Sequence, residues 1–176
     1  MKLYLARHGQ TQYNLEKRIC GRADVELTPR GIAQAEELAG LMIDKSVDII
    51  IASPLKRAKK TAEIVGQKTG ATVIFDERLA ERDYGLDDGT YEGTPGFQHT
   101  FEQFGYQYPE GETLLKVVQR VYNFVDEIKY KYDNKNIMVI SHGGVCRVIN
   151  SYFNSLDNRE FFQFALENCK VLEYDL

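Results

Sequence analysis

The chain has 176 residues, 43% hydrophobic and 27% charged, an ordinary globular balance and enough length to bury a full core. A formal net charge of −4 removes the electrostatic case for nucleic acid or an anionic membrane as partner. No run reaches the roughly eighteen apolar residues of a membrane span. The first residues enter a short apolar strand with no cationic leader, so the expected compartment is the cytoplasm. Cys20, Cys146 and Cys169 are an odd number with no Cys-x-x-Cys pair, which argues for reduced, mostly buried thiols rather than disulfides or a zinc knuckle.

Lys2 to Ala6 reads as a buried strand that stops at Arg7-His8-Gly9. Residues 9–27 are polar and irregular. Thr28-Pro29 then supplies an N-cap and a first-turn proline for a helix whose apolar stripe is Ile32, Ala35, Leu38, Ala39 and Met42. Residues 48–52 form a second strand. Ser53-Pro54 repeats the cap-plus-proline signal for a helix ending near Thr69, with Gly70 as its stop. Thr72 to Phe75 is a third strand.

From about 83 to 111 the periodicity fails. This stretch is rich in glycine and aromatics, and it reads as a loop-rich insertion with a short helix near 97–104. An amphipathic helix follows to about Tyr132, carrying Leu114, Leu115, Val118, Val121, Val125 and Ile128. Then come a strand at 137–141, a helix from Gly144 to about Phe153, a short helix capped by Asp157, and a last strand at 170–174. Strands alternating with helices predict one α/β domain over residues 1–176, a three-layer sandwich with a mostly parallel sheet and helices on both faces. Ligands in such sheets bind beyond the carboxyl ends of the strands. Three of those ends carry suggestive chemistry: Arg7-His8, Ser53 to Arg57, and His142.

His8 and His142 each follow an apolar strand and precede glycine, and only three histidines exist in the chain. Lys56, Arg57, Lys59 and Lys60 crowd the first turns of a helix, where the macrodipole disfavours cations. Lys59 and Lys60 fit a solvated face. A bound anion at that N-terminus would reverse the sign for Arg57, and arginine's planar fork suits phosphate. Two arginines and two histidines about one point would repel until an anion joined them.

Leu5-Ala6-Arg7-His8-Gly9-Gln10-Thr11, Asn14, Gly21-Arg22-Ala23-Asp24 and Leu27-Thr28-Pro29-Arg30-Gly31 resemble the histidine phosphatase superfamily, which includes phosphoglycerate mutases. Ser53-Pro54-Leu55-Lys56-Arg57-Ala58, Leu79-Ala80-Glu81-Arg82-Asp83-Tyr84-Gly85 and Ser141-His142-Gly143-Gly144 resemble its later signatures, in the family's order and across most of the chain. The resemblance implies a phosphohistidine on His8. Arg7, Arg57 and His142 would hold phosphoryl oxygens, Asn14 would orient the group, and Glu81 would protonate the leaving alcohol and then activate water. Cys20, Gly21, Tyr84 and Gly143 join the expected phosphate- or substrate-binding set. No metal and no cofactor are implied. Asp83 competes with Glu81, because Leu86-Asp87-Asp88-Gly89 interrupts the family's usual compact finish after Gly85.

Only 60 residues separate Glu81 from His142, and Asp83 to Leu115 contains seven Asp or Glu but no Lys or Arg. A mutase must hold a second anionic group on its sugar acid, so hydrolysis of a small phosphomonoester is favoured over mutase-type transfer. A non-catalytic phosphate- or phosphopeptide-binding domain is the further alternative. The aromatics between Tyr84 and Tyr108 are expected mostly to pack the loops, with one or two at the mouth of the site.

Overall fold

The computed structural model describes all 176 residues. Five strands form one sheet in the order β3-β2-β4-β1-β5: β1 is Lys2–Arg7, β2 Ile49–Ala52, β3 Thr72–Phe75, β4 Ile137–Ser141 and β5 Val171–Asp175. The first four run parallel, and β5 pairs antiparallel with β1 at one edge. The helices are α1 (Gln12–Leu15), α2 (Pro29–Met42), α3 (Lys56–Thr69), α4 (Pro95–Phe101), α5 (Leu114–Lys131), α6 (Gly143–Phe153) and α7 (Asn158–Gln163). The mixed, mostly parallel sheet is the predicted architecture.

Side chains alternate across the strands and so build two cores. Leu3, Leu5, Ile137 and Val139 face α5 and α6. Tyr4, Ala6, Met138 and Ile140 face α2 and α3. Strand β4 is buried at every residue because it lies at the centre of the sheet with a layer on each side. No helix is long and apolar enough to cross a membrane.

Four local expectations need correction. Ser53-Pro54 does not start α3, whose N-cap is Leu55 with no side-chain cap, and the Ser53 hydroxyl turns inward instead. The negative group at this helix end is Asp24, whose Oδ1 accepts the Lys56 N–H at 2.8 Å. Ile32 and Leu115 lie on solvent-facing sides of α2 and α5; Val117 and Phe124 occupy the α5 core stripe, and Val118 only packs against its margin. Residues 9–27 contain the short helix α1, closed by a capping box between Thr11 and Asn14.

The topology gathers the chemistry. Because β4 is inserted between β2 and β1, the ends of all three strands are neighbours. The His8 N–H donates to the Ser141 carbonyl at 2.9 Å, and the Ser53 N–H donates to the Ile140 carbonyl at 3.1 Å. Gly9 is required here for backbone approach, since a Cβ would collide with the Gly31 carbonyl at the start of α2.

Candidate active site

Arg7, His8, Asn14, Cys20, Glu81, Tyr84 and Gly143 line one cavity of about 490 Å³ beyond the strand ends. Arg57, His142 and Gly21 stand behind its wall rather than in it. The His8 and His142 ring centroids are 5.1 Å apart. His8 Nδ1 lies 2.7 Å from the Gly9 carbonyl, which can only accept, so Nδ1 carries the proton and Nε2 keeps its lone pair. Arg57 donates from Nε to His142 Nδ1 at 3.1 Å, which leaves the proton of that ring on Nε2, 2.7 Å from the Ser53 hydroxyl.

Both imidazoles are held well below the ordinary histidine value. Burial is the leading cause and the Arg57 charge the second; Arg7 adds to both, and His8 adds to His142. The folded protein therefore keeps both rings neutral where an unfolded chain would begin to bind protons, near pH 6.5. Stability should level off in this respect about a unit above that pH and drain as pH falls through and below it, by up to about 1.4 kcal/mol per pH unit for each ring. Urea unfolding at pH 7.5, 6.5 and 5.5 should show most of the loss in the last interval. An unchanged midpoint there would contradict the two buried neutral rings.

Arg57 departs from the reading that gave it a phosphate fork. It is fully buried, and its guanidinium donates to the carbonyls of Ala23 at 2.7 Å, Gly21 at 2.8 Å and Cys20 at 3.3 Å. It thus ties residues 20–23 to α3 and meets the site through His142. Gly21 is likewise outside the cavity: its N–H is taken by Asp88 Oδ1 at 2.9 Å, and a Cβ there would meet the Arg82 carbonyl at 2.6 Å. Burial pushes the Cys20 thiol up to about 11, so it remains protonated and uncharged.

Arg7 is a different kind of cation. It donates from one terminal nitrogen to the Leu166 carbonyl at 3.1 Å, but its Nε is buried without a partner. A buried orphan donor beside His8 is a ready place for an oxyanion. Glu81 is nearly buried, with one carboxylate oxygen accepting the Arg82 N–H and the other the Gly144 N–H, each at 2.8 Å. Its acid therefore rests on the first turn of α6. Asp83 does not line the cavity; its Oδ1 accepts the Gly85 N–H at 2.9 Å and closes a turn.

Several contributors escaped the sequence reading. Lys17 and Arg18 also line the cavity, so cations reach its rim from the β1–α2 connection rather than from 83–111. Arg18 is paired with Glu16 and the Gly89 carbonyl, whereas Lys17 has no acidic partner. Arg120 on α5 donates to the Glu81 carbonyl at 3.3 Å and to Glu112 at 2.7 Å, holding the acid's main chain in place. Its one sequence signal is a cation on a helix with a strong apolar face. Asn168 bonds the His8 carbonyl and gave no signal at all. Of the aromatics, Tyr84, Tyr91, Phe97 and Phe101 line the cavity, while Tyr108 is fully buried and Phe104 packs against Phe161 and, edge-on, Phe162.

A neutral imidazole with a free nitrogen, an unsatisfied guanidinium donor and a carboxyl group share one pocket at a parallel sheet's carboxyl edge, which defines an α/β protein with its candidate site at the strand ends. The particular family follows from comparison: residues 3–176 match the histidine phosphatase superfamily, branch 1, and the chain belongs to it. It is 34% identical over 145 residues to "Uncharacterized phosphatase PhoE" of Bacillus subtilis, covering 82% of this chain and 73% of that one. It is 30% identical over 182 residues to "Probable phosphoglycerate mutase GpmB" of Escherichia coli O9:H4, covering 99% and 85%. Among solved structures, a mycobacterial glucosyl-3-phosphoglycerate phosphatase in complex with VO3 superimposes with a TM-score of 0.87 at 26% identity, covering 98% of this chain and 90% of that one.

Proposed function

We propose that this chain is a single-domain phosphomonoester hydrolase that acts on a small phosphorylated metabolite through a covalent phosphohistidine on His8, without a metal or cofactor. The observation that carries this reading is the Nδ1–H bond from His8 to Gly9, which leaves an uncharged, nucleophilic Nε2 in a pocket shared with Arg7, Asn14 and Glu81. In the first half-reaction Nε2 bonds to phosphorus as the phosphorus–oxygen bond to the alcohol breaks, and Glu81 gives its proton to the departing oxygen. In the second, water attacks phosphorus, Glu81 takes back a proton, and the nitrogen–phosphorus bond breaks to free inorganic phosphate. Arg7 stabilises the transferring oxygens directly. Arg57 contributes positive potential from behind the wall, with the neutral His142 ring held between it and His8.

Mutase-type transfer is the second reading, and Lys17 is the observation that favours it, since an unpaired ammonium at the rim suits a second anionic group on the substrate. The discriminating experiment is a panel of aryl, sugar and phosphoglycerate monoesters assayed without added metal. Inorganic phosphate as product supports hydrolysis. Isomerised phosphoglycerate without phosphate release supports transfer, and phosphate binding without turnover of any ester would leave only a binding domain.

Gly144 gives a test of the acid's seat. A Cβ there would stand 2.5 Å from Glu81 Oε1. Gly144→Ala should displace the carboxylate and lower turnover by about 10²-fold, the scale of a misplacement near 1 Å. The fold should survive, because the overlap falls on the end of the Glu81 side chain and not on backbone. Wild-type turnover in this variant would remove Glu81's oxygen from the proton path.

A further inference from the structure

We propose that Asn168, in the turn between α7 and β5, is a positioning residue that aims the Asn14 amide at the phosphoryl group; the inference rests on the phosphohistidine reading above. Asn168 arrives from the far end of the chain. The turn is fastened to β1 by the Cys169 N–H, which donates to the Arg7 carbonyl at 3.0 Å, with Cys169 in the left-handed region at φ 57°. From there the Asn168 side-chain NH₂ donates to the His8 carbonyl at 2.8 Å and to Asn14 Oδ1 at 3.3 Å. An amide nitrogen has two hydrogens, and both are spent on these oxygens. Asn168 therefore has no donor left for a substrate. The bond to His8 anchors it to the nucleophile, and the bond to Asn14 transmits.

The consequence falls on Asn14. Its Oδ1 also accepts the Thr11 N–H at 3.1 Å, so two donors fix which end of the amide is oxygen. The Asn14 NH₂ has no protein partner, and Asn14 lines the cavity with Arg7 and His8. The one group it can offer a phosphoryl oxygen is that NH₂. Removing Asn168 leaves the amide held by Thr11 alone and leaves the His8 carbonyl without its side-chain donor. The network is self-consistent in its oxygen and nitrogen assignments, because the His8 carbonyl accepts only and the Thr11 N–H donates only.

The test is a double-mutant cycle on kcat/KM for p-nitrophenyl phosphate, with Asn14→Ala, Asn168→Ala and the pair, each confirmed folded by thermal melting. Asn168→Ala should lower kcat/KM about tenfold, the scale of one net hydrogen bond plus looser aim. In the Asn14→Ala background the same change should cost less than about threefold, because its target is gone. Asn168→Asp keeps the shape but points a carboxylate at two acceptor oxygens, and it should be at least as impaired as Asn168→Ala. It also serves if the alanine variant does not fold. Wild-type kcat/KM in either Asn168 variant, or a full tenfold loss persisting without Asn14, would overturn the inference. His8→Ala measured alongside separates the two levels. An inactive His8→Ala with silent Asn168 variants removes this inference alone, and an active His8→Ala removes the phosphohistidine reading on which it rests.

Discussion

His8→Ala should lower turnover of every phosphomonoester by about 10⁴-fold or more, the scale seen when a covalent nucleophile is deleted. The size follows from what the side chain supplies. Only Nε2 of His8 is at once neutral, unprotonated and in the cavity, since His142 spends Nδ1 on Arg57 and Nε2 on Ser53. His142 stands 5.1 Å away, ring to ring, and has no spare lone pair with which to substitute. Rapid quench of the wild type with a good aryl ester should trap an acid-labile, base-stable phosphoenzyme, and the variant should form none. A variant that still releases phosphate at the wild-type rate would end the covalent mechanism. His8→Ala also removes one buried neutral imidazole, so its loss of stability between pH 6.5 and 5.5 should be shallower than that of the wild type.

Glu81→Gln should cost about 10²- to 10⁴-fold, the usual contribution of a positioned general acid–base group, but unequally across substrates. An alkyl ester leaves as a strongly basic alkoxide and needs the proton. An aryl ester leaves as a stable phenolate and scarcely needs it. Turnover of alkyl phosphates should therefore fall by the larger factor, while phosphoenzyme formation from p-nitrophenyl phosphate should be far less affected. The glutamine amide can still accept the Arg82 or Gly144 N–H through its carbonyl, so the fold should survive the change. Asp83→Asn should be mild, because that carboxylate closes the turn at Gly85 outside the cavity. Equal losses for alkyl and aryl esters in the rate of phosphoenzyme formation would assign Glu81 a binding role in that step and not proton transfer. A large loss in Asp83→Asn would reopen the choice between the two acids.

Much of the fold was legible because its signals are local. Apolar runs, Thr28-Pro29, Gly70 and Asp157 each mark an element boundary through backbone chemistry that needs no distant partner. The misreadings fall where a residue had a better offer from elsewhere. Ser53 holds a cap's place in the sequence but faces His142, and Ile32 and Leu115 fit a period whose phase is set by the other layers. The rim follows the same rule. The stretch 83–111 carries no Lys or Arg, and Lys17 and Arg18 reach the cavity from another segment.

Sequence alone determined the class of fold and the residue types of the site, since Arg7-His8-Gly9, Glu81 and Ser141-His142-Gly143-Gly144 are contiguous motifs tied to strand ends and loops. Tertiary structure alone decided what each group is free to do. A hydrogen bond spends a donor or an acceptor, and the spending partners lie far away in the chain: Ser53 and Arg57 for His142, the carbonyls of 20–23 for Arg57, Asn168 for Asn14. His8 keeps its free nitrogen because its other one is satisfied by the very next residue, Gly9, a bond that local sequence could supply.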